Sequence, residues 1–178
     1  MQRKKIKNEE LGRLSADEYK KTSKNPLVVV LDNVRSLNNV GSAFRTCDAF
    51  LVEKLCLAGI TGKPPHRDIN KTALGATDSV KWEHFEDVAE LVKSLKKEGY
   101  YTIAIEQVKS GKMLNEFNQE ADQKYALIFG NEVFGVTDQV IELVDECIEI
   151  PQFGTKHSLN ISVSIGIVLW EFLRKISG

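Results

Sequence analysis

The stretch CIEIPQFGTKHSLNISVSIGIVLWEF, residues 147–172, runs from a strand through a loop into a long helix. Residues 147–150 read as a β-like run, and Pro151 and Gly154 break the chain into a loop. From Ile161 onward, Ile165, Val168, Leu169, Phe172, Leu173 and Ile176 recur at helical spacing, and Leu159, Val163, Ile167 and Trp170 form a second apolar stripe. A helix with two apolar stripes must be covered on more than one side. Ser158, Ser162 and Gly166, four residues apart, leave a smooth strip against which a helix of a second subunit can lie; burial within a single domain explains the periodicity equally well. Lys156, His157, Ser158 and Asn160 stand where loop gives way to helix, and free backbone N–H groups with side-chain donors there make a natural binding site.

Upstream, apolar runs alternate with amphipathic ones. Residues 27–31 (LVVVL), 54–58 (KLCLA), 100–105 (YYTIAI) and 125–129 (YALIF) read as buried strands, and 79–84 (SVKWEH) alternates like a shorter one. Residues 86–98 predict a helix with Val88, Leu91, Val92 and Leu95 on one face and Gly99 as its stop. Further helices are expected at 8–21, where Ser15 and Glu18 have capping-box spacing, after the polar loop 32–39, near 68–75, and from a cap at Thr137 through Val144. In the polar segment 106–124, Met113, Leu114 and Phe117 are expected to anchor one helical turn. This alternation predicts an α/β fold, a parallel sheet with helices on both faces.

The chain of 178 residues, 42% hydrophobic and 28% charged, has an ordinary globular composition and the length of one domain. No apolar run approaches the ~20 residues that span a bilayer, and the charged N-terminus lacks a signal-peptide stretch, so a cytoplasmic protein without membrane association is expected. The net charge of −1 conceals an asymmetry: residues 1–24 hold eight Lys/Arg against four Asp/Glu, the remainder 16 against 21. This divides the chain into a basic extension, 1–24, and a body, 25–178. A basic arm suits nucleic acid, although a solvated tail explains it as well. Cys47, Cys56 and Cys147 lie in apolar surroundings without CxxC spacing and are expected as buried free thiols; His66, His84 and His157 are too scattered for a metal site, and none is expected.

Three polar loops follow apolar strands: NNVGSAFR (38–45), GNEVFG (130–135) and PQFGTKHSLN (151–160). Open α/β sheets bind ligands at the carboxyl ends of their strands. The chain has no GxGxxG after a strand, no GxxxxGK[ST] and no GxSxG, which removes support for the common dinucleotide, P-loop and serine-hydrolase readings. In order, NNVGSAFRTCDA, ALIFGNEVFGV and IEIPQFGTKHSLNISVSIGIVLWE resemble the three motifs of the SpoU, or TrmH-like, branch of the SPOUT methyltransferases. The resemblance covers residues 27–175. One departure lies at residues 50–52, where the family often carries a glycine after the first motif's helix.

The resemblance implies S-adenosylmethionine as methyl donor, an RNA ribose 2′-hydroxyl as acceptor, a homodimer through the C-terminal helix, and a deep C-terminal trefoil knot. Sequence pattern cannot show a knot, and the general rule against threaded connections argues against one. It further implies that Ile105, Gly130, Glu132, Ile150, Leu159 and Asn160 cradle the cofactor, with a side chain at position 130 expected to intrude on the adenosine. Arg45 matches the catalytic arginine, accompanied by Asn39, Glu132, Ser158 and Asn160; His157 is not given a catalytic role. A guanidinium is a poor proton acceptor, so a charged Arg45 that clamps RNA phosphate and stabilises the developing alkoxide is the preferred role. Each has a plainer reading: a surface arginine pairing with Asp48 or Glu53, a helix cap for Asn39, a solvated acid for Glu132, and caps of the last helix for Ser158 and Asn160. Transfer RNA is expected over ribosomal RNA, because no large appended RNA-binding domain is present. The competing functions are a non-catalytic RNA-binding protein of the same fold and a base methyltransferase; a flavodoxin-like nucleotide-binding module fits the element order but not the motifs.

Overall fold

Strand β1 (Asn25–Asp32) sits near the middle of a seven-stranded, wholly parallel sheet in the computed structural model, which describes residues 3–120 and 122–176 without the side chains of Asn8 and Ile176. The other strands are β2 (Val52–Ala58), β3 (Trp82–Phe85), β4 (Tyr100–Ile105), β5 (Lys112–Met113), β6 (Lys124–Phe129) and β7 (Glu146–Glu149). Their spatial order is β3-β2-β1-β6-β4-β7-β5. β1 therefore lies between β2 and β6, and β6 is followed by β4, in register with Val29 opposite Leu127 and Leu127 opposite Ile103.

The unbroken apolar runs arise because both faces of the sheet are covered. Leu27, Val29 and Leu31 of β1 join Leu127 and Phe129 of β6 in one core, against α2 (Leu37–Ala49) and α7 (Ile161–Ile176). Val28, Val30, Ala126 and Ile128 point into a second core, against α5 (Val88–Lys97) and α6 (Asp138–Leu143). Ile161, Ile165, Val168, Leu169 and Phe172 of α7 are buried, as their spacing predicts. The second stripe, Val163, Ile167 and Trp170, faces outward, with Trp170 62% exposed.

Several elements differ locally from expectation. The helix expected at 8–21 is a 3-10 turn (Asn8–Leu11) and α1 (Ala16–Lys21), parted at Gly12, whose φ of 59° leaves the helical region; Ser15 and Glu18 form the expected capping box. Between β2 and β3 lie α3 (Arg67–Ala73) and the short α4 (Ala76–Ser79), whose last residue opens the segment read as strand, so β3 starts only at Trp82. Thr137 precedes α6 without a side-chain cap, and its buried hydroxyl has no hydrogen-bond partner among the described residues. Segment 106–124 yields the edge strand β5 and a turn whose Leu114 and Phe117 are buried, while Met113 is exposed. Phe117 stacks on Phe172 at 5.8 Å between centroids, and Lys175 donates to the carbonyl of Phe117, so α7 fastens this segment down. Cys47 and Cys56 are buried; Cys147 is half-buried. In the departing segment 50–52, Leu51 adopts φ 48°, a left-handed position filled by a residue with a side chain.

Candidate active site

β1, β6, β4 and β7 are neighbours and parallel, so their carboxyl ends open on one edge of the sheet. The loops that leave them enclose a cavity of about 550 Å³, within the ~300–1,000 Å³ range of small-molecule sites. Ile105, Gly130, Glu132, Ile150, Ser158, Leu159 and Asn160 all line it, together with His157. Residues from three separate parts of the chain thus meet around one volume.

Glu132 is the hub of the polar side. Its carboxylate accepts the backbone N–H of Arg35 (3.1 Å) and Ser36 (3.1 Å) and the side-chain amide of Asn39 (3.1 Å). Partial desolvation pushes the carboxyl up, but hydrogen bonds from its own backbone and from Arg35, Asn39 and Ser36 outweigh it and hold Glu132 below the usual carboxylate range. Asn160 donates to Asn39 Oδ1 at 3.3 Å. Its own Oδ1 accepts the N–H of Ser162 at 2.9 Å, so Asn160 caps α7 and joins the site at once. The cap of α2 is Ser36, which accepts the N–H of Asn39 at 3.3 Å; Asn39 itself stands within the first turn of the helix. Ser158 is exposed at the cavity and makes no side-chain hydrogen bond among the described residues.

Arg45 stands apart from this group. Six residues of helix rotate a side chain by about 240°, so Asn39 and Arg45 on α2 face different ways. Arg45 is exposed and lines a second cavity. It forms no ion pair with Asp48 or Glu53 among the described residues; Ser79 donates to Asp48, and the Tyr100 hydroxyl donates to Glu53.

Three residues unmarked by the sequence reading hold the GNEVFG loop in place. Buried Asp32, at the end of β1, accepts the N–H of Thr137 at 2.9 Å and the side-chain amide of Asn33 at 2.7 Å. Glu106, just past β4, accepts the N–H of Val136 at 2.9 Å. Asn131 donates to the carbonyl of Asn33 at 2.7 Å and accepts the N–H of Val133 and Phe134. Each follows an apolar strand directly or within two residues, which is the signal that would have found them. Gly130 has a reason within the chain itself: a Cβ there would lie 2.0 Å from the backbone of Gly135 and Val136. The loop folding on itself is thus enough to demand a glycine at a position that also lines the cavity.

The SpoU rRNA Methylase family profile matches residues 26–170. A tRNA (guanosine(18)-2′-O)-methyltransferase of Aquifex aeolicus is 35% identical over 84% of this chain and 69% of its own length. One of the same name from Thermus thermophilus is 30% identical over 93% of this chain and 84% of its own. A 23S rRNA (guanosine-2′-O-)-methyltransferase of Neisseria meningitidis is 30% identical, with this chain spanning 62% of it. The solved A. aeolicus TrmH/SpoU tRNA modifying enzyme superposes with a TM-score of 0.79 at 30% identity, over 89% of this chain and 79% of that one. The AviRb methyltransferase of Streptomyces viridochromogenes, solved with AdoMet, shares the fold with a TM-score of 0.76 at 24% identity, over 89% of this chain and 64% of that one. With the profile match running over most of its length, this chain belongs to the SpoU rRNA methylase family.

Proposed function

We propose that this protein is an S-adenosylmethionine-dependent methyltransferase that acts on a ribose 2′-hydroxyl of RNA, as a cytoplasmic homodimer. The supporting observation is the cavity at the strand ends, where the second and third motifs line one volume and Asn39 of the first is bonded to both Glu132 and Asn160. The lining fits the cofactor: Ile105, Ile150 and Leu159 offer apolar surface for an adenosine, and Glu106, Glu132 and Glu149 offer carboxylates to a cationic end. The bound cofactor supplies a methyl group on a sulfonium. Around it Glu132 keeps the 33–36 turn and the GNEVFG loop together, Asn39 and Asn160 tie α2 to α7, and Ser158 presents a free hydroxyl to the cavity.

Arg45 holds the acceptor's phosphate and stabilises the alkoxide as the hydroxyl passes its proton to that phosphate or to water; a guanidinium does this as a charge and not as a base. Since Arg45 lies outside its own chain's cavity, the reading requires a second copy to bring it there. The outward row Val163, Ile167 and Trp170 on α7, beside Ser162 and Gly166, supports that dimer, because so much exposed apolar surface on one helix face marks an interaction site. The trefoil knot belongs to the same reading and is supported by residues 130–135 and 150–160 closing on one volume. Transfer RNA is favoured over ribosomal RNA by the names of the Aquifex and Thermus relatives.

Mapping 2′-O-methyl groups in RNA from cells with the gene, without it, and with only the Arg45→Ala variant tests this reading. One or more sites lost on deletion and not restored by the variant are expected. Identical maps in all three would refute the assignment.

A further inference from the structure

The second cavity, about 480 Å³, lies between the N-terminal arm, α2 and the α3–α4 turn, and shares no lining residue with the first. Arg13, Leu14, Arg45, Asp48, Leu51 and Leu74 shape it. Its one carboxylate, Asp48, is engaged by the Ser79 hydroxyl, whereas neither Arg13 nor Arg45 has an ion-pair partner among the described residues. Two uncompensated guanidinium groups therefore stand over an apolar floor.

That floor is built against local preference. Leu51 and Leu74 have φ of 48° and 49°, the left-handed conformation in which glycine costs least. Leu51 packs against the core, which accounts for its side chain. Leu74 is 67% exposed at the end of α3 and is followed by Gly75. Folding alone is better served by glycine at position 74, whereas leucine presents an apolar side chain to the cavity.

We propose that this cavity seats a nucleotide of the substrate RNA, its base resting on Leu74 and Leu14 and its flanking phosphates paired with Arg13 and Arg45. Planar guanidinium groups pair with phosphate and stack on unpaired bases, and apolar side chains cover the base faces. The surplus of cations in residues 1–24 draws the strand to this side of the molecule. The inference rests on the proposed function through Arg45, which thereby joins the seat to the acceptor chemistry.

The test compares wild type, Arg13→Ala and Leu74→Gly, using total RNA from cells lacking the gene as the probe. Methyl transfer is followed with labelled cofactor, RNA affinity by filter binding, and cofactor affinity by calorimetry. Leu74→Gly removes left-handed strain and keeps the fold. Both variants are expected to raise the KM and Kd for RNA about tenfold, on the scale of one lost base contact, with cofactor Kd unchanged. RNA affinity unchanged in both overturns the seat. A loss in Arg13→Ala alone also overturns it, leaving general attraction to phosphate. A wild type that transfers no methyl group, yet whose RNA affinity falls in both variants, keeps the seat and removes the proposed function.

Discussion

Asn39 Nδ2 donates to Glu132 Oε1 at 3.1 Å, joining the first turn of α2 to the loop that follows β6, 93 residues later. The same carboxylate takes two backbone N–H groups from the turn after β1. A single anion thus fixes the relative position of two of the three motifs, and its protonation state should govern them.

Glu132 is held below its ordinary range in the folded chain. A carboxyl lowered on folding contributes stability that is complete above the unfolded value, near ~4.3, and is lost as pH falls through the folded value. Denaturant unfolding at about pH 6 and about pH 3 should show a smaller acid loss for Glu132→Gln than for wild type. Asp145 and Glu171 are also lowered but are common to both proteins, so the difference isolates Glu132. Equal acid losses would show that the carboxylate does not hold the two loops together.

Glu106 acts on the cavity through the loop. Removing it in Glu106→Ala strips the Val136 N–H of its acceptor, at a cost of about 1–3 kcal/mol if that group stays dry. Cofactor affinity measured by calorimetry should fall with it. Glu106→Gln, which keeps an acceptor oxygen, should recover much of both.

Gly130→Ala places a methyl group into the backbone of Gly135 and Val136. The chain must shift there, at about 1–3 kcal/mol, and both thermal stability and cofactor binding should drop. A variant that binds poorly at unchanged stability would make the adenosine, and not the loop, the reason for this glycine.

At Gly166 a Cβ meets nothing within 4 Å in the single chain. Replacing a helical glycine should then stabilise an isolated protomer by up to about 1 kcal/mol. With a second copy packed on the Ser162–Gly166 strip, Gly166→Leu should instead dissociate the dimer, as read by sedimentation, and leave the helix content intact.

Delivery of Arg45 by the second copy has its own test. Chains carrying Arg45→Ala and chains carrying Glu132→Ala, each inactive alone, should regain activity when co-refolded, because one site of every mixed dimer is then intact. Random pairing of a two-fold dimer gives about one quarter of the wild-type sites. No recovery would place Arg45 in its own chain's site.

Much of this architecture was legible along the chain because it depends on local periodicity. LVVVL and YALIF read as strands buried on both faces, and Val88–Leu95 as the buried side of a helix, without knowledge of neighbours. The edge segment at 112–117 was not, since Leu114 and Phe117 are ordered by Phe172 and Lys175 from α7 and not by their own sequence. Asp32, Glu106 and Asn131 escaped for a related reason: a polar residue after a strand looks like any loop residue until its partner loop is in place.

By itself the sequence determined the alternation of strands and helices, the three motifs with the family they belong to, and the polar residues that gather at the strand ends. Tertiary structure alone decided the order β3-β2-β1-β6-β4-β7-β5, the clustering of Asn39, Glu132 and Asn160, and the separation of Arg45 from them. The physical reason is range. Side-chain spacing reports which face of an element is buried, whereas strand order depends on which buried faces find each other, and the Arg45 position on which way a helix turns once α7 and the sheet have fixed it.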